Sequence, residues 1–394
     1  MTDAAVVQSG NEPFSLVRND LFFRFQRRIG LIPEHGSGLK RRAIAYALVA
    51  WLPLALAAWL GGTAVHSDGA AESLLGHFGI HVRCLVAIPL LVLAEGIAHK
   101  NMVLCLQEFR RSGLVDEALA PRYRQILADA IRMRNGTLPW VIIIGLAAAW
   151  TFAFLVSPDP DQLQWAASDR PGLTFGAWWF LLVTRPIFSV LLLAWVWRLV
   201  MAGIIMFRIA RLPLNLVVLH PDRVGGLGFL DRLPIVFGPL IFSVSAVVSA
   251  SWAHNVYYHG VTVPSLYPQM ATLVVLLVLI GLAPLLFFTP ILARAKRAAL
   301  LDYGVLLARH GRLVDAKWIH QRPIPDDPLL DAPELGPVAD IQAMYQSVRG
   351  MRAVVFGKVM LLQVALPALL PALIVVATQW PLKSTLSKLL FALV

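Results

Sequence analysis

Residues 269–293 read QMATLVVLLVLIGLAPLLFFTPILA and contain no charged side chain. A helix rises 1.5 Å per residue, so about 20 apolar residues cross the ~30 Å of bilayer hydrocarbon. An uncharged apolar run of this length is the mark of a transmembrane helix. Six further runs of similar character occur, at 43–65, 79–98, 138–157, 175–198, 234–256 and 353–378. The fourth stays apolar as far as Phe207, which predicts a helix that projects beyond the membrane. The whole composition agrees. Of 394 residues, 58% are hydrophobic and only 14% charged, and the mean hydropathy is +0.69. Soluble domains carry about 45–50% apolar and ~25% charged residues. An ordinary soluble enzyme, a disordered chain, a collagen and a disulfide-stapled secreted domain are excluded. The expected fold is all-α, a polytopic helical membrane protein of about seven transmembrane helices.

The formal charge is +11, and its placement gives it a topological meaning rather than a nucleic-acid one. With the N-terminus inside, the segments 1–42, 99–137, 208–233 and 294–352 hold 27 of the 34 arginines and lysines. The outer loops hold one, Arg170, and the C-terminal tail adds Lys383 and Lys388. The positive-inside rule therefore predicts a cytoplasmic N-terminus and a periplasmic C-terminus, with the basic loops meeting anionic lipid headgroups. Residues 1–42 form a cytoplasmic N-terminal segment. In it, Asn19 or Asp20 caps a short helix with Leu21, Phe22, Phe25 and Ile29 on one side and Arg24, Arg27 and Arg28 on the other. This is the pattern of a basic interfacial helix, and Lys40-Arg41-Arg42 then stops at the membrane. Residues 43–378 form the transmembrane domain. Two insertions, 99–137 and 294–352, are predicted to be cytoplasmic helical hairpins. The second includes an acidic, proline-rich loop from Pro323 to Pro337, then Ile341, Met344, Val348, Met351 and Val355 at heptad spacing. Residues 379–394 are a short periplasmic tail. Cys84 and Cys105 would stand about 31 Å apart on one helix, too far for a disulfide.

Ionisable residues inside a membrane are costly and mark functional candidates. Here they are Arg83 and Glu95 in the second run, Arg185 and Arg198 in the fourth, and Lys358 in the seventh. Depth matching pairs Glu95 with Lys358 or Arg198. Arg185 falls about 14 Å into its run, next to Pro186, and either lines an aqueous cavity or bonds carbonyls freed by the proline. Four cations against one anion favour an anionic permeant if a pathway exists. In the fifth run Ser245, Ala246, Ser249 and Ala253 share one face, which suits either close helix packing or a pore-lining serine track.

The most distinctive string is His220-Pro221-Asp222-Arg223-Val224-Gly225-Gly226-Leu227-Gly228-Phe229-Leu230, in the loop before the fifth run. Asp222 can accept backbone N–H bonds at a turn, and Gly225, Gly226 and Gly228 permit close backbone approach. An anion beside Arg223 is one reading and a tight structural turn the other. No Walker lysine is present, so no nucleotide fingerprint is met. This string, with Ala50-Trp51-Leu52-Pro53-Leu54 and Ile88-Pro89-Leu90-Leu91 through Glu95, resembles an uncharacterised family of bacterial polytopic inner-membrane proteins. The resemblance spans most of the chain. It implies a bacterial inner-membrane location and brings no activity with it.

Histidines gather on the outer side, at His66, His77, His81, His254 and His259. His77 and His81 share a helical face, and with His254 or Asp68 they are weak candidates for Zn²⁺ or Cu²⁺. No HExxH, GxSxG, CxxC or P-loop is present, and no cofactor is expected. An acidic pair, Asp159 and Asp161, is the one feature that would suit a lipid-modifying enzyme. The sequence thus predicts a channel or transporter, forming a homo-oligomer, for an ion or small anion. A sensor or scaffold acting through its cytoplasmic helices is the alternative.

Overall fold

The computed structural model describes residues 14–17, 21–28, 30–32, 38–65, 73–157, 165, 173–323 and 336–378. Among them no strand occurs, and the fold is all-helical. Helix α1 is Leu21–Arg28. Phe23 and Gln26 are buried on it, while Arg24, Arg27 and Arg28 are exposed. Asn19, Asp20 and Ile29 lie outside the described residues. Seven helices are long and apolar enough to cross a membrane. They are α2 (Leu39–Leu60), α3 (Phe78–Arg111), α5 (Leu138–Val156), α6 (Phe175–Ala210), α7 (Arg232–Tyr258), α8 (Val263–Leu286) and α11 (Lys358–Ala377). The protein is a multi-pass membrane protein. Large apolar side chains such as Ile44, Ile142, Ile144, Leu279 and Ile374 are exposed on these helices, which suits lipid and not water.

Helix α7 is the axis of the bundle. Its most apolar window is 61% buried, against 22% for α2 and for α5. It packs on α3 and α11. Gly281 of α8 closes this side: a Cβ there would stand 2.7 Å from Ile241 of α7 and 2.8 Å from Val364 of α11. Only glycine lets three helices approach so closely.

Prolines set the helix boundaries and bends. Pro121, Pro139, Pro264 and Pro290 stand in the first turns of α4 (Ala120–Asn135), α5, α8 and α9 (Thr289–Val314). A proline is at ease there because its missing N–H has no helical partner. The sixth apolar run, 269–293, is accordingly divided. Its helix ends at Leu286, and α9 starts at Thr289. Helix α9 pairs with α10 (Gly336–Gly350), whereas α4 packs on α6. The heptad pattern from Ile341 to Val355 is not one helix into the last span. Helix α10 ends at Gly350 and α11 starts at Lys358, with Met351 and Val355 buried in the turn between them.

Two stretches of π-helix, Val82–Ala87 in α3 and Phe180–Thr184 in α6, end just before Pro89 and Pro186. Widening the turn relieves the clash of each ring with the carbonyl one turn earlier. In α2, Pro53 removes the N–H that would have bonded Val49. The indole of Trp179 on α6 donates to that Val49 carbonyl instead, at 3.0 Å. The neighbouring carbonyl of Ala50 accepts from Thr184 Oγ1 at 2.8 Å and from Cys84 Sγ at 3.8 Å. The proline kink of α2 is thereby bonded to both π-turns.

Candidate functional site

Where α2, α3 and α6 meet, near the end of the bundle that carries the basic loops, three charged side chains converge. Arg42 Nη1 lies 2.7 Å from Glu95 Oε2. Arg198 Nη2 donates to Glu95 Oε1 at 2.9 Å. All three side chains are at most 4% exposed. The local sequence dictates the convergence. Arg42 is in the first turn of α2 and faces inward with Ala43 and Ala50, while Lys40 and Arg41 face outward. Glu95 sits between Ala94 and Ala98 on the buried side of α3. Small neighbours leave room for two guanidinium groups. The Arg198 guanidinium lies 5.1 Å from the Trp195 ring, and the Trp195 indole donates to the Leu91 carbonyl at 2.9 Å. Trp195 thus ties α6 to α3 and aims Arg198 at Glu95. Burying charge is expensive unless each group is paired. One carboxylate here serves two guanidinium groups, so the three side chains carry two positive charges and one negative.

Of the two partners expected for Glu95, Arg198 is the one found. Lys358 is exposed at the first residue of α11 and takes no part. The second partner, Arg42, was hidden in the sequence by its place in a basic triplet that reads as a membrane stop signal. Its signal was positional: of three consecutive cations at a helix start, one must face the bundle.

The other intramembrane cations rest on aromatic rings. Arg83 stands over Phe180 and Phe188, at 5.8 and 5.5 Å. Arg185 stands 3.8 Å from the ring centre of Phe154, two residues from the end of α5. Its guanidinium therefore reaches toward the end of the bundle opposite the basic loops. Ser243, Ser245 and Ser249 of α7 are buried, and Ser245 Oγ donates to the Ala368 carbonyl of α11 at 2.6 Å. Pro371 of α11 removes the N–H that would have bonded the neighbouring Pro367 carbonyl. Ser249 is buried on the same face.

The glycine-rich loop is built around Asp222. Its Oδ1 accepts the backbone N–H groups of Val224 (2.8 Å) and Gly226 (3.2 Å), and its Oδ2 accepts that of Gly228 (2.8 Å). His220 Nδ1 lies 2.9 Å from Oδ1. Arg223, Gly225 and Gly226 have φ of 60°, 69° and 91°, the left-handed turns that curl these N–H groups inward. The cradle of N–H groups is filled by the protein's own carboxylate. Burial pushes the Asp222 carboxyl up, but the three N–H donors and the His220 ring outweigh it and hold it below its ordinary value of 3.8. Arg223 is exposed. The turn is held from the far side as well: Arg352 N donates to the Arg223 carbonyl at 2.7 Å, and its guanidinium to the Asp222 carbonyl at 3.4 Å. Lys296 Nζ bonds the Met351 carbonyl at 2.5 Å. The loop before α7 is thus fastened to the turn between α10 and α11, which Lys296 ties to α9.

At the opposite end, the rings of His77 and His254 stack at 5.1 Å, and His259 stands 5.6 Å from His254. Burial, then the neighbouring His254 and His81, lower the His77 pKa to about 4. His81 Nδ1 accepts from the Trp51 indole at 3.0 Å, which leaves Nε2 to donate to the Leu74 carbonyl, also at 3.0 Å. Both its nitrogens are used. Among the described residues no three His, Cys, Asp or Glu side chains converge as metal ligands. His66, Asp68, Asp159 and Asp161 lie outside the described residues.

No protein-family model matches the chain, and no curated protein or solved structure does either. The functional reading rests on the geometry alone.

Proposed function

We propose that this protein is a channel or transporter for a small anion, and that the Arg42–Glu95–Arg198 triad is its selectivity element. The observation that supports this most is the convergence of two guanidinium groups on Glu95. Two buried guanidinium groups share one carboxylate where three membrane-spanning helices meet. An anion that approached either guanidinium would compete with Glu95 for a cation already in place, whereas a cation would meet two like charges for one opposite. Arg83 adds positive charge farther along the bundle, over the rings of Phe180 and Phe188. In the conformation described the triad is closed to solvent, so passage requires α2, α3 and α6 to part. The proposal includes a homo-oligomer in a bacterial inner membrane with the N-terminus inside; the loop charges support the orientation, and the resemblance of the His220–Leu230 string supports the location. The test is flux through the purified protein in liposomes, read for chloride and phosphate against potassium and sodium. Protein-dependent anion flux supports the proposal. Cation flux alone, or none under either gradient, would overturn it.

The fastening of the Asp222 loop to Arg352, beside the Lys296–Met351 bond, favours a second reading. A partner that pulled on the α9–α10 hairpin would move the start of α7, as a sensor or scaffold requires. Silence in the flux assay together with capture of a soluble partner by the hairpin would select it.

A further inference from the structure

Helices α6 and α8 leave an open groove of about 520 Å³ on the outer surface of the bundle. Leu199, Gly203 and Phe207 line it from α6, Ile280 and Ala283 from α8, and Phe287 from just past the end of α8. Gly203 and Ala283 make the depression, since the side chains around them are large. The groove follows residues 199–207, about 12 Å of helix at 1.5 Å per residue. That is close to the depth of one leaflet, half of the ~30 Å hydrocarbon layer. It runs toward the basic end of the bundle. There the rings of Phe207 and Phe287 meet edge to face at 5.2 Å. One turn farther, the exposed Arg211 sets its guanidinium 5.0 Å from the Phe207 ring centre. Its neighbour Arg208 is already paired with Asp129 at 3.0 Å, while Arg211 makes no ion pair among the described residues. An apolar slot of one leaflet's depth, ending at an available guanidinium where headgroups lie, matches a single phospholipid.

We infer that the α6–α8 groove is a binding site for an anionic phospholipid, with an acyl chain along Gly203 and Ala283 and the headgroup phosphate at Arg211. This site stands independently of what the bundle transports. It predicts a protein that keeps a lipid through purification and prefers an anionic headgroup. One arginine near an anionic headgroup contributes about 1 kcal/mol, or about fivefold in affinity.

The experiment is native mass spectrometry of the full chain, delipidated in mild detergent and then titrated with phosphatidylglycerol or phosphatidylcholine. The wild type should bind one phosphatidylglycerol about fivefold more tightly than phosphatidylcholine. Arg211→Gln should erase that preference and leave binding of the neutral lipid. Gly203→Leu should fill the groove and remove both. Gly203 is suited to this change because a Cβ there meets only Phe287, at an ordinary 3.8 Å. Ala283→Phe, at an exposed position, is the second variant should the first not fold. Equal affinity for the two lipids in the wild type would overturn the inference. So would lipid occupancy unchanged in both groove-filling variants, or a dimer that Gly203→Leu dissolves, which would give the groove to a second copy of the chain.

Discussion

Replacing Glu95 by glutamine is the sharpest perturbation of the triad, because it removes the carboxylate that both arginines face and keeps the shape. Arg42 and Arg198 would then face an amide at 2.7 and 2.9 Å, with side chains at most 4% exposed. Breaking a buried pair by deleting one partner costs about 3–5 kcal/mol, and here one deletion breaks two. Glu95→Gln should fall at the upper end of that range, about 4–5 kcal/mol. Arg42→Met acts in the opposite sense. It leaves Glu95 and Arg198 as a balanced pair and fills the vacated space with an apolar chain of similar length. Exchanging buried ionic groups for apolar ones is often neutral, so its cost should stay within about 1 kcal/mol. The decisive arm is the double variant. Once Glu95 is glutamine, removing Arg42 relieves a repulsion, so Arg42→Met should restore about 1–3 kcal/mol in that background. The assay is reversible unfolding in mixed dodecylmaltoside and dodecylsulfate micelles, followed by far-UV circular dichroism. Strictly additive losses in the double variant would refute the reasoning. So would an Arg42→Met cost equal to that of Glu95→Gln.

Three further outcomes follow from the same geometry. His77 has its pKa lowered from 6.5 to about 4, so the unfolded chain binds a proton there before the folded one does. Thermal stability should therefore fall as the pH drops from about 6.5 to about 4, and His77→Phe should flatten that part of a pH series of melting temperatures. Asp222→Ala strips the acceptor from three loop N–H groups and should destabilise by about 2–3 kcal/mol. The same variant should speed hydrogen exchange at Val224, Gly226 and Gly228 before any global unfolding. Gly281→Ala puts a methyl group within 2.7 Å of Ile241 and should cost about 1–3 kcal/mol by overpacking, seen as a lower thermal midpoint with unchanged helicity.

The fold was legible in the sequence because a spanning helix needs only length and apolarity, both local properties. All seven runs coincide with helices of the right kind, and the long fourth run is helical to Ala210. The sixth was displaced because hydropathy cannot see a helix end inside apolar sequence. Phe287 and Phe288 are as apolar as the span they terminate, and only Pro290 marks the break. The site was half legible. Glu95 and Arg198 stood out as charges in apolar runs and lay at matching depths. Arg42 did not, since a basic triplet at a membrane boundary has a sufficient topological explanation and sequence does not show which member faces inward. The Asp222 loop was recognised as a donor cradle. That its own carboxylate would occupy the cradle depends on the left-handed turns at Arg223, Gly225 and Gly226, and glycine permits such turns without requiring them.

The central claim is that positive charge at the triad selects for anions. The most direct measurement is the reversal potential of the reconstituted protein under a tenfold salt gradient, for wild type and for Arg42→Met. A monovalent ion carried alone gives about 59 mV. The account predicts a wild-type value close to that magnitude with the sign of the anion, and a shift toward zero when Arg42 is lost from a protein that still folds. A reversal potential with the sign of the cation, or one that Arg42→Met leaves unmoved, would contradict it.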